Sequence, residues 1–446
     1  MHGSLEEYDR SGRNNHMINI KKATDHDAPR KTKFVLGVLW FYFLFFSVPL
    51  PYIGISSVYL MNVAGIASLL VVEPGRFASF IMRKTFLFPL LILFLFLSFS
   101  VAWPIAHNTN DFTLVLISVG QINLYIGSAI FAYVSLKNYD ETLFVKTIFY
   151  AIILQAMVVM AMLFVPLVRE IIFDVFTEGR RVFDRSSGFR GLGLSGELVY
   201  GLSIGVAFGM MFAMYLYYSG RVKLIYIIGL FLLFFTVTLL ARTGFLVMPF
   251  LLFFIVYSMF KTSRTLSLSS IQKTVVLFVF SIMALVLFVA WLNYSDGPLS
   301  SFVKGWSFEL INNFMEAGEI RTDSTDVMLG MYFVPSLQSL LYGDGLMANP
   351  DGSYYMHTDI GYLRHVLFFG VVPALFLYGF FYSIAHVTIA KMDDNLLKAS
   401  FLSFVIISFV AHAKGLFLHS SFFLVLLFVF YFYFKAGRAK KTRARS

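Results

Sequence analysis

Long apolar blocks alternate with short polar joints along this chain. Thr85 to Pro104, Thr274 to Leu292 and Phe417 to Phe434 each approach the roughly 20 apolar residues that span about 30 Å of hydrocarbon. Lipid offers backbone polar groups no partner, so such blocks predict helices, which pair those groups internally. The period-2 alternation of a membrane barrel is absent. The pattern predicts an all-α polytopic membrane protein of about 12 spans. They fall near Phe34–Leu50, Ile55–Val72, Thr85–Pro104, Phe112–Leu136, Phe144–Leu167, Glu197–Tyr218, Lys223–Leu240, Gly244–Phe260, Thr274–Leu292, His365–Val387, Ala399–His412 and Phe417–Phe434. The joint at Arg242 is very short, and Ala399–His412 is short enough to suggest a partly re-entrant segment.

Composition agrees. Of 446 residues, 58% are hydrophobic and 13% charged, against about 25% charged in a soluble domain. There is no cysteine, which excludes disulfides and thiolate chemistry. Residues Met1–Lys33 are polar and lack a signal-peptide apolar stretch, so insertion is expected to use the first span. A net charge of +10 would suggest nucleic acid for a soluble chain. Here it resides in tails and short joints, where the positive-inside rule explains it, and no nucleic-acid partner is expected.

With the polar start inside, alternation puts 25 of the 35 Lys and Arg residues in the cytoplasm and 10 outside. That bias predicts both termini inside and an even number of spans. The layout is a tail at 1–33, helices 1–5 over 34–167, and an outer loop at 168–196. Helices 6–9 follow over 197–292, a large outer loop over 293–364, helices 10–12 over 365–434 and a basic tail at 435–446. Loops of this length are functional or disordered. The larger carries apolar stretches (Phe302, Trp306, Phe308, Leu310, Ile311, Phe314; then Val334, Leu337, Leu340, Leu341) that predict amphipathic helices on the membrane or over a cavity.

Eight of the ten outer cations are arginine, against ten of the 25 inside. Insertion requires only positive charge, whereas arginine suits bidentate phosphate or carboxylate binding. Solvated loop charge also fits. Arg180, Arg181, Arg185 and Arg190 crowd into the first loop among Gly188, Gly191 and Gly193, as a polyanion site or as a contact with lipid headgroups. Arg242 stands alone between two apolar runs, as an anion ligand or a snorkelling cation. Arg321 belongs to the same outer set. Gly343-Asp344-Gly345 and the run from His357 through Asp359, Tyr362 and Arg364 to His365 gather acid, base and cation where an acid–base pair could meet a substrate. Asp359 also fits a helix N-cap. Spans nearly free of mid-depth ionisable groups disfavour an ion-coupled pump. No P-loop, HExxH or DxD pattern is present, and neither cofactor nor metal is expected.

These three sites, in this order, resemble the Wzy-type polymerases of O-antigen and capsular polysaccharide, in the family that includes O-antigen ligases. Arg190 with Gly201 fits an R-x10-G pattern, which Arg180/Gly191 and Arg185/Gly196 also satisfy. Leu240-Ala241-Arg242-Thr243-Gly244 is similar to the family's S-R-T-G turn, with Ala241 in place of serine. Gly343-Asp344-Gly345, the run His357–Arg364 and Gly370 resemble the large-loop signature, and no second R-x10-G appears there. Asp359-Ile360-Gly361 stands where ligases carry His-Asn, which favours polymerase over ligase.

The resemblance implies a GT-C-like enzyme on the periplasmic face of a bacterial inner membrane. It would transfer a glycan from undecaprenyl pyrophosphate to the next lipid-linked repeat. Its partners would be the bilayer, a chain-length regulator and the pathway's flippase. His357 or Asp359 would be the base. Arg180, Arg181, Arg185, Arg190, Arg242, Arg321, Tyr362 and Arg364 would bind substrate. An O-antigen ligase, a lipid-linked oligosaccharide flippase and an assembly scaffold remain as alternatives.

Overall fold

The computed structural model describes residues 31–436 apart from 51–54, 138, 176–192, 197–199, 220–222, 262–271 and scattered positions from 273 to 321. Among the described residues there are helices and no strand; two isolated bridges, Pro49 to Ser56 and Ala348 to Tyr354, are the extended pairings.

In chain order the helices are α1 (31–46), α2 (Ser57–Val72), α3 (Pro74–Ile81), α4 (Lys84–Ala106), α5 (Thr113–Val134), α6 (Glu141–Phe164), α7 (Pro166–Val175), α8 (Tyr200–Ser219), α9 (Leu224–Leu240) and α10 (Met248–Lys261). After them come α11 (Glu309–Ala317), α12 (Asp323–Gly330), α13 (Leu337–Tyr342), α14 (Gly361–Phe369), α15 (Val371–Ile389), α16 (Asn395–His412) and α17 (Ser421–Ala436). Six of them, α4, α5, α6, α8, α15 and α16, are long and apolar enough to cross a membrane. Four shorter apolar segments, Ser57–Val71, Leu224–Leu240, Arg242–Tyr257 and Ser421–Lys435, accompany them. The chain is therefore a helical, multi-pass membrane protein.

Helix α8 is the axis of the bundle and is buried from Gly201 to Tyr217. Glycine recurs every fourth residue at Gly201, Gly205 and Gly209. A Cβ on Gly205 would lie 2.7 Å from the Phe422 ring, and one on Gly209 2.7 Å from Ile152. Small residues at this spacing let helix backbones approach where lipid supplies no hydrophobic drive between helices. Aromatic side chains fill the rest: Tyr125 meets Phe428 edge-on at 4.9 Å, and Phe144 stacks on Tyr433 at 4.2 Å.

The bundle has two distinct ends. At one, the Tyr139 hydroxyl donates to the Lys33 carbonyl (3.0 Å) and the Tyr433 hydroxyl to the Tyr139 carbonyl (3.0 Å). Lys137 pairs with Glu73 at 3.6 Å beside them. This terminal end thus holds both the start and the finish of the described chain. At the other, site end, Gly196 N–H donates to Phe46 O (2.9 Å), the Ser421 hydroxyl to Phe45 O (2.8 Å), and the Trp103 indole to Tyr342 O (2.8 Å).

Three expectations change. The span placed at His365–Val387 is two helices: α14 stops at Gly370, whose φ of +84° breaks the run before α15. Ala399–His412 is part of a continuous 18-residue helix from Asn395, because Asp394 caps it by accepting from Leu396 N–H (2.7 Å). The last span begins at Ser421, after a 3-10 turn at Phe417–His419. The large loop does form short helices, and Phe314, Met315, Leu337 and Leu341 on them are exposed. Of the ninth predicted span, Thr274–Leu292, the described residues (275–280, 282, 283, 286, 287 and 290) are helical.

Candidate active site

The site end is built around the short helix α14, and the glycine-rich loop before it explains why α14 is held. The last carbonyls of a helix lack intrahelical donors. Here Asp344 N–H donates to Leu367 O (2.5 Å) and Gly345 N–H to Phe368 O (3.1 Å). Gly343 (φ +68°) and Gly370 (φ +84°) cross at this contact. A Cβ on either would fall 2.3 Å from Phe368 O or 2.5 Å from Leu341 O. Asp111, between α4 and α5, fixes the next stretch by accepting from Met347 N–H (2.5 Å) and Ala348 N–H (2.8 Å). Burial pushes the Asp111 carboxyl up, but its hydrogen bonds from Thr113, Met347 and Ala348 outweigh that and hold it below the usual range.

On this frame Arg364 is 7% exposed. Its guanidinium lies 3.5 Å from Asp359 Oδ1, 3.4 Å from Met347 O and 4.5 Å from the Tyr354 ring centroid. Its Nε is buried with no hydrogen-bond partner. A buried cationic donor left open in this way is ready to meet an anion. Asp359 is not the N-cap of α14: that position is Ile360, and no side chain caps the helix. Burial raises the Asp359 carboxyl to about 6, and the opposing charges of Arg364 and Lys414 do not cancel it. Tyr362 turns inward and donates to Phe409 O (2.7 Å). His357 is exposed, on backbone with φ +53°. Asp359, not His357, is the group adjoining the buried cation.

Beneath α14 lies a cluster of three histidines. His365 and His412 are fully buried. His365 Nε2 is 2.5 Å from His419 Nε2, and its Nδ1 is 2.7 Å from the Tyr378 hydroxyl and 3.3 Å from His412 Nε2. His419 Nδ1 meets the amide of Gln121, and Leu418 N–H reaches His412 Nδ1 at 3.4 Å. A Cβ on Gly361 would be 2.6 Å from His412 Cε1, so the start of α14 rests directly on this cluster. Among the described residues no group of three His, Cys, Asp or Glu has a metal-holding arrangement.

Arg242 opens a 3-10 turn after α9 ends at extended Ala241. The Ser203 hydroxyl donates to Ala241 O (2.5 Å), and a Cβ on Gly244 would lie 2.4 Å from Ser203 Oγ. The turn is thus pinned to α8, whose first residue, Tyr200, accepts from the Thr243 hydroxyl (3.5 Å). A Cβ on Gly415, three residues past His412, would meet the Tyr200 phenol at 2.2 Å. Arg242 itself is ion-paired with Glu309 of the large loop.

The structure therefore pairs Asp359 with Arg364, turns Tyr362 away from them onto Phe409 and His412, and links the Arg242 turn to the same end. Arg180, Arg181, Arg185, Arg190 and Arg321 lie outside the described residues. Glu309, Tyr354, His412, His419 and Gln121 join the site without having been singled out. The last three were legible as polar residues within or beside apolar blocks. No family model and no curated protein matches the chain.

Proposed function

We propose that this chain joins lipid-linked oligosaccharide repeats into an O-antigen or capsular-type polysaccharide. In this reading it is a Wzy-type polymerase with a GT-C-like fold of about 12 spans. Both termini are cytoplasmic and the site end faces the periplasm of a bacterial inner membrane, in keeping with the 25-to-10 charge split. One observation carries the reading: a buried arginine with an open Nε, beside a carboxyl whose affinity for a proton is raised to about 6.

The chemistry follows from that pair. A carboxylate that titrates near the working pH is a competent general base. Asp359 takes the proton of the acceptor sugar hydroxyl, and the freed oxygen forms a bond to the anomeric carbon of the growing glycan. The bond from that carbon to undecaprenyl pyrophosphate breaks, and its electron pair leaves with the pyrophosphate. Arg364, with Arg242 once it exchanges Glu309 for substrate, neutralises the charge that develops there. This route uses neither nucleotide sugar nor divalent metal. A chain-length regulator and the flippase of the pathway are the partners it implies.

The test is reconstitution in liposomes with lipid-linked repeats and EDTA. Polymer should form, and Asp359→Asn should abolish it at normal protein level. Strict magnesium or manganese dependence would refute the route. A deletion strain that accumulates long undecaprenyl-linked chains would make the protein a ligase instead.

A further inference from the structure

Three imidazoles, the buried His365 and His412 and the half-buried His419, cluster at α14 with no part in the chemistry above. A neutral imidazole carries one donor and one acceptor nitrogen. With the Gln121 carboxamide turned to present its oxygen to His419 Nδ1, the contacts from the Leu418 N–H through His412, Tyr378, His365 and His419 to Gln121 close as a chain with one proton in each gap. An imidazolium would place two donors face to face and break a link. The charged group bearing on all three rings is Arg364, a cation, and Asp359 is engaged with it. Tyr362 packs on His412 at 4.8 Å, and Tyr378 on His365 at 5.5 Å. The chain ends on a carboxamide at one side and on the Leu418 N–H at the other, neither of which titrates. It cannot pass a proton onward, so it is no conduit. What it does touch is helix α14: His365 belongs to it, and His412 fills the space against Gly361.

We propose that His365, His412 and His419 are positioning residues: their hydrogen-bonded chain sets α14 so that Arg364 faces the anion it binds. The functional half rests on the reading that Arg364 holds the carrier's phosphate groups, and the positional half does not.

The cysteine-free sequence supplies a direct gauge of position. Ile360, the residue preceding α14, is fully buried. Ile360→Cys in nanodiscs should react slowly with a water-soluble thiol reagent. Adding His365→Phe, which keeps a ring but makes no hydrogen bond, should speed labelling about tenfold or more, since a buried partner is left unsatisfied. His365→Asn restores an acceptor near the Nδ1 position and should slow it again. A role in packing alone predicts the reverse order, with phenylalanine the better substitute. Should His365→Phe fail to accumulate, Tyr378→Phe deletes only a hydroxyl and gives the same comparison.

Binding of inorganic pyrophosphate, measured on the cysteine-free protein, reads the functional half. The wild type should bind it, and His365→Phe should weaken binding about tenfold or more while His365→Asn recovers part. Unchanged labelling in His365→Phe, or phenylalanine outperforming asparagine, overturns the proposal. If the wild type binds no pyrophosphate, the assignment of Arg364 fails, and the labelling order alone decides whether the histidines position the helix.

Discussion

In the proposed reaction Asp359 and Arg242 make separate demands. Asp359 is a base only while ionised, and burial sets its midpoint at about 6. Polymer formation should therefore fall as pH drops through that value, because the protonated carboxyl cannot accept the hydroxyl proton. A profile flat from pH 5 to 7.5 would remove Asp359 from that role. Arg242 presents a different situation, since Glu309 already occupies it. Glu309→Gln removes the competing charge and should tighten pyrophosphate binding several-fold, whereas Arg242→Ala should weaken it. If Glu309→Gln weakens binding instead, the glutamate orients the arginine rather than competing for it. The sequence shows Asp359 and Arg364 as neighbours five residues apart, but not that one is desolvated and the other has an open Nε. Those properties depend on Met347 and Tyr354 in the preceding loop, which is itself held by Asp111 from a distant part of the chain.

At the scale of elements, apolar periodicity located most helices to within a few residues, because hydrocarbon thickness and backbone hydrogen bonding leave few options. It failed where a helix is interrupted inside an apolar run. His365–Val387 reads as one span, yet Gly370 at φ +84° divides it. The dividing contact is the crossing of Gly343 with Gly370, sealed by the amides of Asp344 and Gly345. The Gly343-Asp344-Gly345 motif, which the sequence reads as part of an acid–base site, is in the structure the C-terminal cap of the helix bearing Arg364. Gly343→Ala and Gly370→Ala should each be poorly tolerated, through positive-φ strain of about 1–3 kcal/mol and a Cβ within 2.5 Å of a backbone carbonyl oxygen. Thermal unfolding of the detergent-solubilised protein measures this. Gly352, also at positive φ (+80°) but with open space around it, is the control and should lose only the strain.

For the molecule as a whole, the terminal end gathers Lys33, Glu73, Lys137, Tyr139 and Tyr433, so the chain returns to the side from which it set out. Lys33→Cys and Lys435→Cys should therefore be protected together from a membrane-impermeant reagent applied to spheroplasts, while Ser353→Cys, in the loop before α14, should react. Opposite accessibility of the two lysine positions would break the topology. Charge counting predicts both ends on one side; the convergence of α8, α14 and α16 at one end was not readable, because it depends on packing across glycines rather than on any local signal. The Trp103 indole, hydrogen-bonded at 2.8 Å to the Tyr342 carbonyl and set edge-on to Phe369 at 6.1 Å, has a practical corollary. With the chain's three other tryptophans replaced by phenylalanine, its fluorescence becomes a built-in optical gauge of the loop between α13 and α14. Should that loop lift when glycan enters, the indole loses its acceptor and meets water, and the emission shifts to the red in real time without any attached dye.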